Sequence, residues 1–367
     1  MTIDDMIKDS YTKNELVRML ELTETEDVDN LFKAAYAVKT ENVGNIVYYR
    51  GILEWSNVCA KNCFYCGIRR GNGNVDRYTM TDEEVLEGAL WAEKQDYGSL
   101  VIQSGERRDK AFVDKIESLV RMIRERTELG ITLSLGEQDE DTYRRWFEAG
   151  AHRYLIRIET SNPALYRSLH PEDHDFDERF HCLDRLRDTG WQVGTGVMIG
   201  LPGQTAEDLA QDIMFFKQQD IDMIGMGPFI PHHQTPMADS LGDFSKIREQ
   251  QLKRALKMIA VTRLYLRDVN IAATTALQAL NPVGREMGLL AGANIMMPNI
   301  TLTKYREGYQ LYEDKPCLDE NSSKCRDCLE DRISDIGEQI GYGRYGDSIH
   351  FLKKHPETQK KYSWAGE

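Results

Sequence analysis

Apolar and polar residues recur with two different periods along most of this chain, and the periods predict strands and helices in turn. Short, densely apolar stretches predict eight strands, at residues 47–55, 99–103, 131–135, 153–158, 192–199, 223–226, 270–273 and 294–297. Stretches with apolar residues three or four positions apart predict the main helices, at residues 82–94, 111–126, 141–149, 176–189, 205–219 and 246–267. The pattern therefore predicts an α/β protein.

Eight strands alternating with helices predict one architecture in particular, a complete (β/α)8 TIM barrel with a helical extension before it and a further extension after it. Residues 1–44 hold two predicted helices and form the N-terminal extension, residues 45–310 form the barrel, and residues 311–367 form the C-terminal extension. A doubly wound open sheet is the competing architecture.

The barrel places chemistry at the carboxyl ends of its strands, and the sequence is polar or glycine-rich there. The positions that follow successive predicted strands are Asn57 and Cys59, then residues 103–106, 136–137, 159–160, 200–203 and 274–275. Repetition at six strand ends favours a single site built by all of them.

Composition narrows the class of protein. The net charge of −14 over 367 residues disfavours nucleic-acid binding, since phosphates would be repelled by such a surface. No apolar run is long enough to span a bilayer, and the first residues are polar and acidic, unlike a signal peptide. We therefore expect a cytoplasmic protein without a membrane partner.

Six of the seven cysteines form two tight groups, which favours metal ligation over a disulfide framework. Cys59, Cys63 and Cys66 have the spacing C-x3-C-x2-C, and three thiolates leave one iron of a cubane cluster without a protein ligand. A structural zinc site and a disulfide with a spare thiol are the alternatives. Zinc needs four ligands, and residues 29–96 hold no other histidine or cysteine. Cys182, which stands alone, is predicted to be a buried helix residue.

The C-x3-C-x2-C spacing after a first strand, with Tyr65 immediately before the last cysteine, resembles the radical S-adenosylmethionine (radical SAM) enzymes. The resemblance implies a 4Fe-4S cluster on Cys59, Cys63 and Cys66. It also implies that SAM binds the open iron and is cleaved by one electron to a 5′-deoxyadenosyl radical. Tyr65 would lie beside the adenine or, alternatively, only pack the loop.

SAM needs partners of three kinds, and the strand ends offer them. Its amine needs acceptors, which Ser104 and the following Gly105-Glu106 supply. Its ribose hydroxyls suit the carboxylate of Glu159, and its carboxylate suits Arg179. Arg157 would face the lumen beside Glu159, because residues two apart share a face of a strand. A structural interior ion pair between Arg157 and Glu159 is the alternative.

Several ordered blocks narrow the resemblance to the HydE family, the radical SAM maturase of FeFe hydrogenase. They lie at residues 57–67, 103–106, 134–137, 225–232, 273–276 and 297–299. This resemblance implies an iron–cysteine carbonyl cyanide precursor as substrate in assembly of the two-iron subcluster. It also implies a ferredoxin or flavodoxin as electron donor and other hydrogenase maturases as partners.

Matched residue by residue to that family, the predicted substrate positions in the lumen, beside Arg157, are Gln103, Thr132, Arg153, Thr274, Thr275, Met297 and Tyr305. Alternatively, the two adjacent threonines are ordinary strand residues, of which only one can face inward. Cys317, Cys325 and Cys328 resemble a triplet that binds an auxiliary 2Fe-2S or 4Fe-4S cluster in some members. His232 and His233 lie on a proline-flanked loop, where we do not expect a metal.

Three other functions stay open at this point. A methylornithine synthase, a lysine mutase of similar barrel and Met-Pro-Asn region, would act on an amino-acid-derived substrate. Sulfur insertion of the biotin-synthase kind is more remote. A non-catalytic iron–sulfur carrier or scaffold would also use a three-cysteine loop, but it would not need the residues Arg157, Glu159 and Arg179 that suit SAM.

Overall fold

The computed structural model describes residues 1–239, 242–318 and 322–358, apart from the side chains of residue 239 and residues 322–328. Its strands are β1 Ile46–Ser56, β2 Ser99–Ser104, β3 Gly130–Ser134, β4 Arg153–Leu155, β5 Gln192–Thr195, β6 Met198–Ile199, β7 Met223–Ile224, β8 Gly227–Pro228, β9 Asn270–Ile271, β10 Ile295–Met296 and β11 Gln339–Ile340.

Helices separate the strands. They are α1 Ile3–Met6, α2 Lys13–Leu20, α3 Thr25–Val43, α4 Asp82–Lys94, α5 Lys110–Arg126, α6 Glu140–Ala149, α7 Pro163–Leu169, α8 Phe176–Thr189, α9 Ala206–Gln218, α10 Pro236–Asp239, α11 Arg248–Leu266, α12 Thr275–Leu280, α13 Gly284–Leu290, α14 Thr303–Arg306, α15 Ser322–Asp335 and α16 Ile349–Lys354.

The strands form a curled parallel sheet in the order β10-β1-β2-β3-β4-β5-β7-β9, with β11 added beside β1. Along this sheet, neighbouring strands follow one another in chain order, which excludes a doubly wound sheet, whose strand order reverses at a switch point. Strands β6 and β8 pair with each other in a separate two-stranded sheet. The two edges also approach each other, because Ala272 forms a parallel bridge with Ile295 and the Ala273 N–H donates to the Ile295 carbonyl at 2.9 Å. The fold is thus an α/β fold with a curled sheet of eight strands.

The strand predictions are confirmed in position, since each of the eight apolar stretches contains one strand of this sheet. The long helices also lie where the helical period predicts them. Helix α4 begins after Thr81, whose hydroxyl accepts from the Glu84 N–H while Glu84 bonds back, the capping box that the sequence contains. At the N-terminus three helices form instead of two, because α1 is a separate turn capped by Thr2.

The amino ends of the strands are covered by the C-terminal segment, which the hydrophobic pattern did not predict. Residues 339–340 pair with β1, and the chain then passes so close to Gly98 that a Cβ there would lie 1.7 Å from the Arg344 carbonyl oxygen. Asp347 is inserted under the sheet, where its carboxylate accepts from the Arg153 guanidinium at 2.5 Å and from Gln192 at 3.0 Å.

Asp347 neutralises buried positive charge at this end of the sheet. Arg153 is completely buried, and the guanidinium of Arg50, also buried, donates to the Gly346 carbonyl at 2.9 Å. Burial lowers the pKa of the neighbouring His152 to about 4, so this imidazole is neutral at pH 7. Asp347 is therefore the carboxylate that makes the burial of Arg153 tolerable.

We predict that Asp347→Ala lowers the free energy of unfolding by about 3–5 kcal/mol, because it leaves the Arg153 guanidinium buried without its counter-charge. Thermal unfolding of anaerobically purified protein measures the effect. The control is Asp141→Ala, whose side chain is 75% exposed, and we expect it to change stability by less than about 0.5 kcal/mol. Equal unfolding temperatures for the two variants would contradict the role of Asp347.

Candidate active site

The three clustered cysteines lie on the loop that follows β1 and line a cavity of about 340 Å³ at the carboxyl ends of the strands. Asn57 fixes the start of this loop, since its buried side-chain amide donates to the Asp76 and Gly308 carbonyls at 2.8 and 2.7 Å. Burial raises the pKa of the Cys63 thiol to about 12. A bound metal would supply the positive charge that makes thiolates stable here.

A buried ion-pair network joins the cysteine loop to the ends of the next two strands. Lys61, between the first two cysteines, donates to Glu137 at 2.8 Å and lies 3.4 Å from Glu106. Arg179 and Arg108 also donate to Glu137, at 2.7 and 2.6 Å. Although burial alone would raise it, these cations hold the pKa of Glu137 below its usual range. The Glu106 backbone N–H in turn donates to Cys59 Sγ at 3.3 Å.

Glu159 lies across the cavity rim, in a backbone conformation that is unusual for its residue type. Its φ is 65°, in the left-handed region. One carboxylate oxygen accepts from the Tyr65 hydroxyl at 3.1 Å, and the other lies 2.9 Å from Arg157 Nη2. The ion pair that the sequence offered as an alternative is therefore present, and all three side chains line the cavity. A non-glycine residue with this φ is held by its surroundings.

Two acids on α9 hold the turn that follows Glu159, and the sequence reasoning missed both. Asp212 accepts from both the backbone N–H and the hydroxyl of Ser161, each at 2.6 Å. One helical turn earlier, Asp208 accepts from the Asn162 side chain at 2.8 Å. Asp212 is completely buried, and burial raises its pKa to about 7. The i, i+4 spacing of the acids was visible in the sequence, but their partners were not.

The remaining predicted residues divide into two sets. The cavity is lined by Gln103, Ser104, Arg179, Thr274, Thr275 and Met297, together with the cysteine loop and Glu159. Thr132 and Arg153 lie toward the other end of the sheet, where Arg153 donates to the Thr132 hydroxyl at 2.9 Å. Tyr305 lies outside the cavity lining, stacked on Tyr78 and bonded to Glu84 at 2.9 Å.

The cavity wall also contains a buried pair that sequence reasoning missed. Lys315 forms an ion pair with Glu54 and donates to the Tyr309 carbonyl at 2.8 Å. The other oxygen of Glu54 accepts from Asn299 at 3.1 Å. Glu54 was recognisable as a charged residue within a buried strand, which is rare without a partner. Lys315 follows 261 residues later, so nothing local in the sequence indicated the pairing.

The second cysteine group is described only in part. Cys317 lines the same cavity as the first group, in a left-handed conformation with φ of 63°. The side chains of Cys325 and Cys328 lie outside the described residues, although their backbone belongs to α15. The triplet as an auxiliary cluster site thus stays a prediction.

His232 and His233 are joined by Glu313, so that their ligand atoms and its carboxylate all lie within 4.8 Å of one another. Glu313 already accepts from His233 Nδ1 at 2.7 Å and from the His233 backbone N–H at 3.2 Å. The His232 ring packs against Gly67, where a Cβ would lie 2.7 Å from it. These contacts pair His233 with Glu313 and place His232 against the cysteine loop.

Known proteins are similar to this chain both over the segment that contains the cysteine loop and over most of its length. Residues 53–216 match the model of the radical SAM superfamily. The chain is 43% identical over 341 residues to the [FeFe] hydrogenase maturase subunit HydE of Thermotoga maritima, covering 92% of this chain and 94% of the relative. It is 27% identical to 3-methylornithine synthase of Methanosarcina barkeri, covering 85% and 87%. The crystal structure of methylornithine synthase (PylB) superimposes with a TM-score of 0.79 at 25% identity, covering 93% and 97%.

We predict that Asp212→Ala weakens SAM binding by about tenfold, because the Ser161 N–H and hydroxyl lose their acceptor and the turn that orients Glu159 relaxes. Asp212→Asn keeps one acceptor oxygen, so its affinity for SAM should lie between those of Asp212→Ala and the wild type. Calorimetric titration of the reconstituted protein measures the affinity.

Glu207→Ala is the matched control, since Glu207 is an exposed acid of α9 one turn before Asp212. We expect it to bind SAM as the wild type does. Wild-type affinity in Asp212→Ala, at an unfolding temperature equal to that of the control, would show that the turn does not depend on Asp212.

Proposed function

Because the chain belongs to the HydE family of the radical SAM superfamily, we propose that it acts on a small iron–cysteine carbonyl cyanide precursor during FeFe hydrogenase H-cluster assembly. The observation that carries the proposal is the single cavity that the three cysteines share with Gln103, Thr274, Thr275 and Met297. A reactive group made at the cysteine loop and a small substrate in the lumen would therefore meet without leaving the protein.

The donor set fits the cofactors of the family. Three thiols that line one cavity, one of them already accepting a backbone N–H, suit a 4Fe-4S cluster with one open iron. With SAM bound, that cluster supplies the electron that yields a 5′-deoxyadenosyl radical. The chain's own residues bind and orient the cofactor and exclude side reactions.

We assign the SAM contacts by charge and position. Glu159 binds the ribose hydroxyls, with Tyr65 beside the adenine. Ser104 and the adjoining backbone accept from the amine. Arg179 uses Nε and Nη1 for Glu137 and the Arg157 carbonyl, both at 2.7 Å, which fixes its guanidinium and leaves Nη2 for the SAM carboxylate.

The architecture of the family extends the proposal to the whole chain. We propose that the curled sheet closes as a complete (β/α)8 barrel over residues 45–310, supported by the Ala272–Ile295 bridge. Residues 1–44 and 311–367 are then extensions. Cys317, Cys325 and Cys328 hold an auxiliary 2Fe-2S or 4Fe-4S cluster, and a ferredoxin or flavodoxin supplies electrons in the cytoplasm. Within the described residues no helix is both long and apolar enough to cross a membrane.

We expect the anaerobically reconstituted and reduced protein to consume the iron–cysteine precursor together with SAM. The same protein should leave L-lysine unchanged. Chromatography of 5′-deoxyadenosine and of each candidate substrate measures the outcome. Isomerisation of lysine would instead establish a methylornithine synthase, whose structure this chain shares.

We predict that Cys63→Ser reduces 5′-deoxyadenosine formation to background, because the cluster loses one of three protein ligands. Cys182→Ala is the matched control, since Cys182 is buried in α8 away from the cavity lining. It should retain wild-type activity. Product formation by Cys63→Ser at the rate of the control would refute the cluster assignment.

A further inference from the structure

Arg285 is a buried cation in the cavity wall that neither the sequence motifs nor the SAM contacts account for. It lies in the first turn of α13, is 2% exposed, and lines the same cavity as the three cysteines. Its Nη2 donates to the Thr275 hydroxyl at 3.0 Å. Its Nε and Nη1 are buried and have no hydrogen-bond partner among the described residues.

The position of Arg285 is fixed by close helix packing. A Cβ at Gly284 would lie 2.1 Å from the Leu277 carbonyl oxygen, so glycine is what lets α13 approach α12. The next residue, Glu286, does not neutralise Arg285, since its carboxylate accepts from Arg332 at 2.7 Å. The guanidinium of Arg285 is therefore held in the cavity wall, and its charge is not neutralised by Glu286, the nearest acid in the sequence of α13.

The other cations of the cavity all have carboxylate partners. Lys61 and Arg179 bond Glu137 at 2.8 and 2.7 Å. The remaining two pairs are Arg157 with Glu159, at 2.9 Å, and Lys315 with Glu54. In the described chain no carboxylate pairs with Arg285. A buried cation without a counter-charge is costly, so a ligand that brings a negative charge is favoured at this place.

A second orphaned group lies beside it. The Thr274 hydroxyl is buried and also has no partner among the described residues. Gly227 borders it so closely that a Cβ there would lie 2.8 Å from Thr274 Oγ1. The wall thus offers a hydroxyl from each of two adjacent threonines and the unpaired N–H groups of one guanidinium.

We propose that Arg285, with the hydroxyls of Thr274 and Thr275, binds the carboxylate group of the substrate. The inference rests on the proposed function, because it names the group by which an amino-acid-derived substrate is held. A planar guanidinium matches the two oxygens of a carboxylate. The second N–H of Arg285 Nη2 can pair for this purpose with an N–H of Nη1 or with that of Nε, both of which are free of partners among the described residues. Arg285 is then a specificity-determining residue that orients the substrate from the cavity wall.

The test compares two probes that differ only in charge, S-methyl-L-cysteine and S-methyl-L-cysteinamide, neither of which has a free thiol to attack the cluster. Each is titrated calorimetrically into the reconstituted protein with SAM present. The wild type should bind the carboxylate about 10- to 100-fold more tightly than the amide. Arg285→Gln should bind both equally, and Arg285→Lys should keep part of the preference.

Lys253→Gln is the control, since it removes a cation on α11 that is 66% exposed and does not line the cavity. It should keep the full preference. Thr275→Val removes the hydroxyl that holds the guanidinium, and we expect it to reduce the preference for the carboxylate probe. This second variant keeps the proposal testable if Arg285→Gln does not fold. A wild type that does not distinguish the probes, or binds neither, overturns the proposal, as does an undiminished preference in Arg285→Gln.

Reductive SAM cleavage without substrate is measured on each variant in parallel, and it separates the two proposals. Cleavage by the wild type and the control, with complete loss of the probe preference in Arg285→Gln and partial loss in Arg285→Lys and Thr275→Val, supports the carboxylate site. A wild type that distinguishes the probes but does not cleave SAM would overturn the radical SAM activity and leave the carboxylate site standing.

Discussion

The ion pairs around Glu137 join the separate elements that build the site at the carboxyl ends of the strands. This one buried carboxylate binds Lys61 from the cysteine loop, Arg108 from the end of β2 and Arg179 from α8. The negative charge of Glu137 helps to hold each cation near the sheet, and the cations in turn favour the ionised form of Glu137. Removing it would release the cysteine loop and the arginine assigned to SAM together.

Buried arginines occur at both ends of the sheet, but they have different roles. At the amino end Arg153 points into the interior but is occupied by Asp347, so it contributes to closing the fold. At the carboxyl end Arg285 is nearly as buried, but among the described residues only the Thr275 hydroxyl accepts a hydrogen bond from it. Burial and residue type therefore do not distinguish a structural arginine from a binding one. What distinguishes them is whether the protein itself supplies the counter-charge.

This distinction also marks how far the sequence could be interpreted. Local patterns predicted what local forces decide: strand positions, the Thr81 capping box of α4, and the cysteine spacing. The family resemblance placed Arg153 among the inward-facing residues, but the position of a side chain along the inside of the curled sheet depends on strand register. Asp347 reaches Arg153 from 194 residues away, and Lys315 reaches Glu54 across a similar gap. No window of sequence contains such pairs, so they emerge only when the chain is folded.

The cavity is divided by charge, and the division bears on what it can select. Around the cysteine loop and Glu159, each cation that lines the cavity has a carboxylate partner, so that region positions its ligand chiefly by geometry. Around Arg285 the described residues leave positive charge unmatched. A cofactor that carries its own paired charges suits the first region, whereas an anionic substrate suits the second. The residues that hold the cofactor are therefore separate from those that neutralise the substrate. Proteins that share the cysteine loop and the curled sheet can consequently differ in substrate through changes in the cavity wall around Arg285 alone.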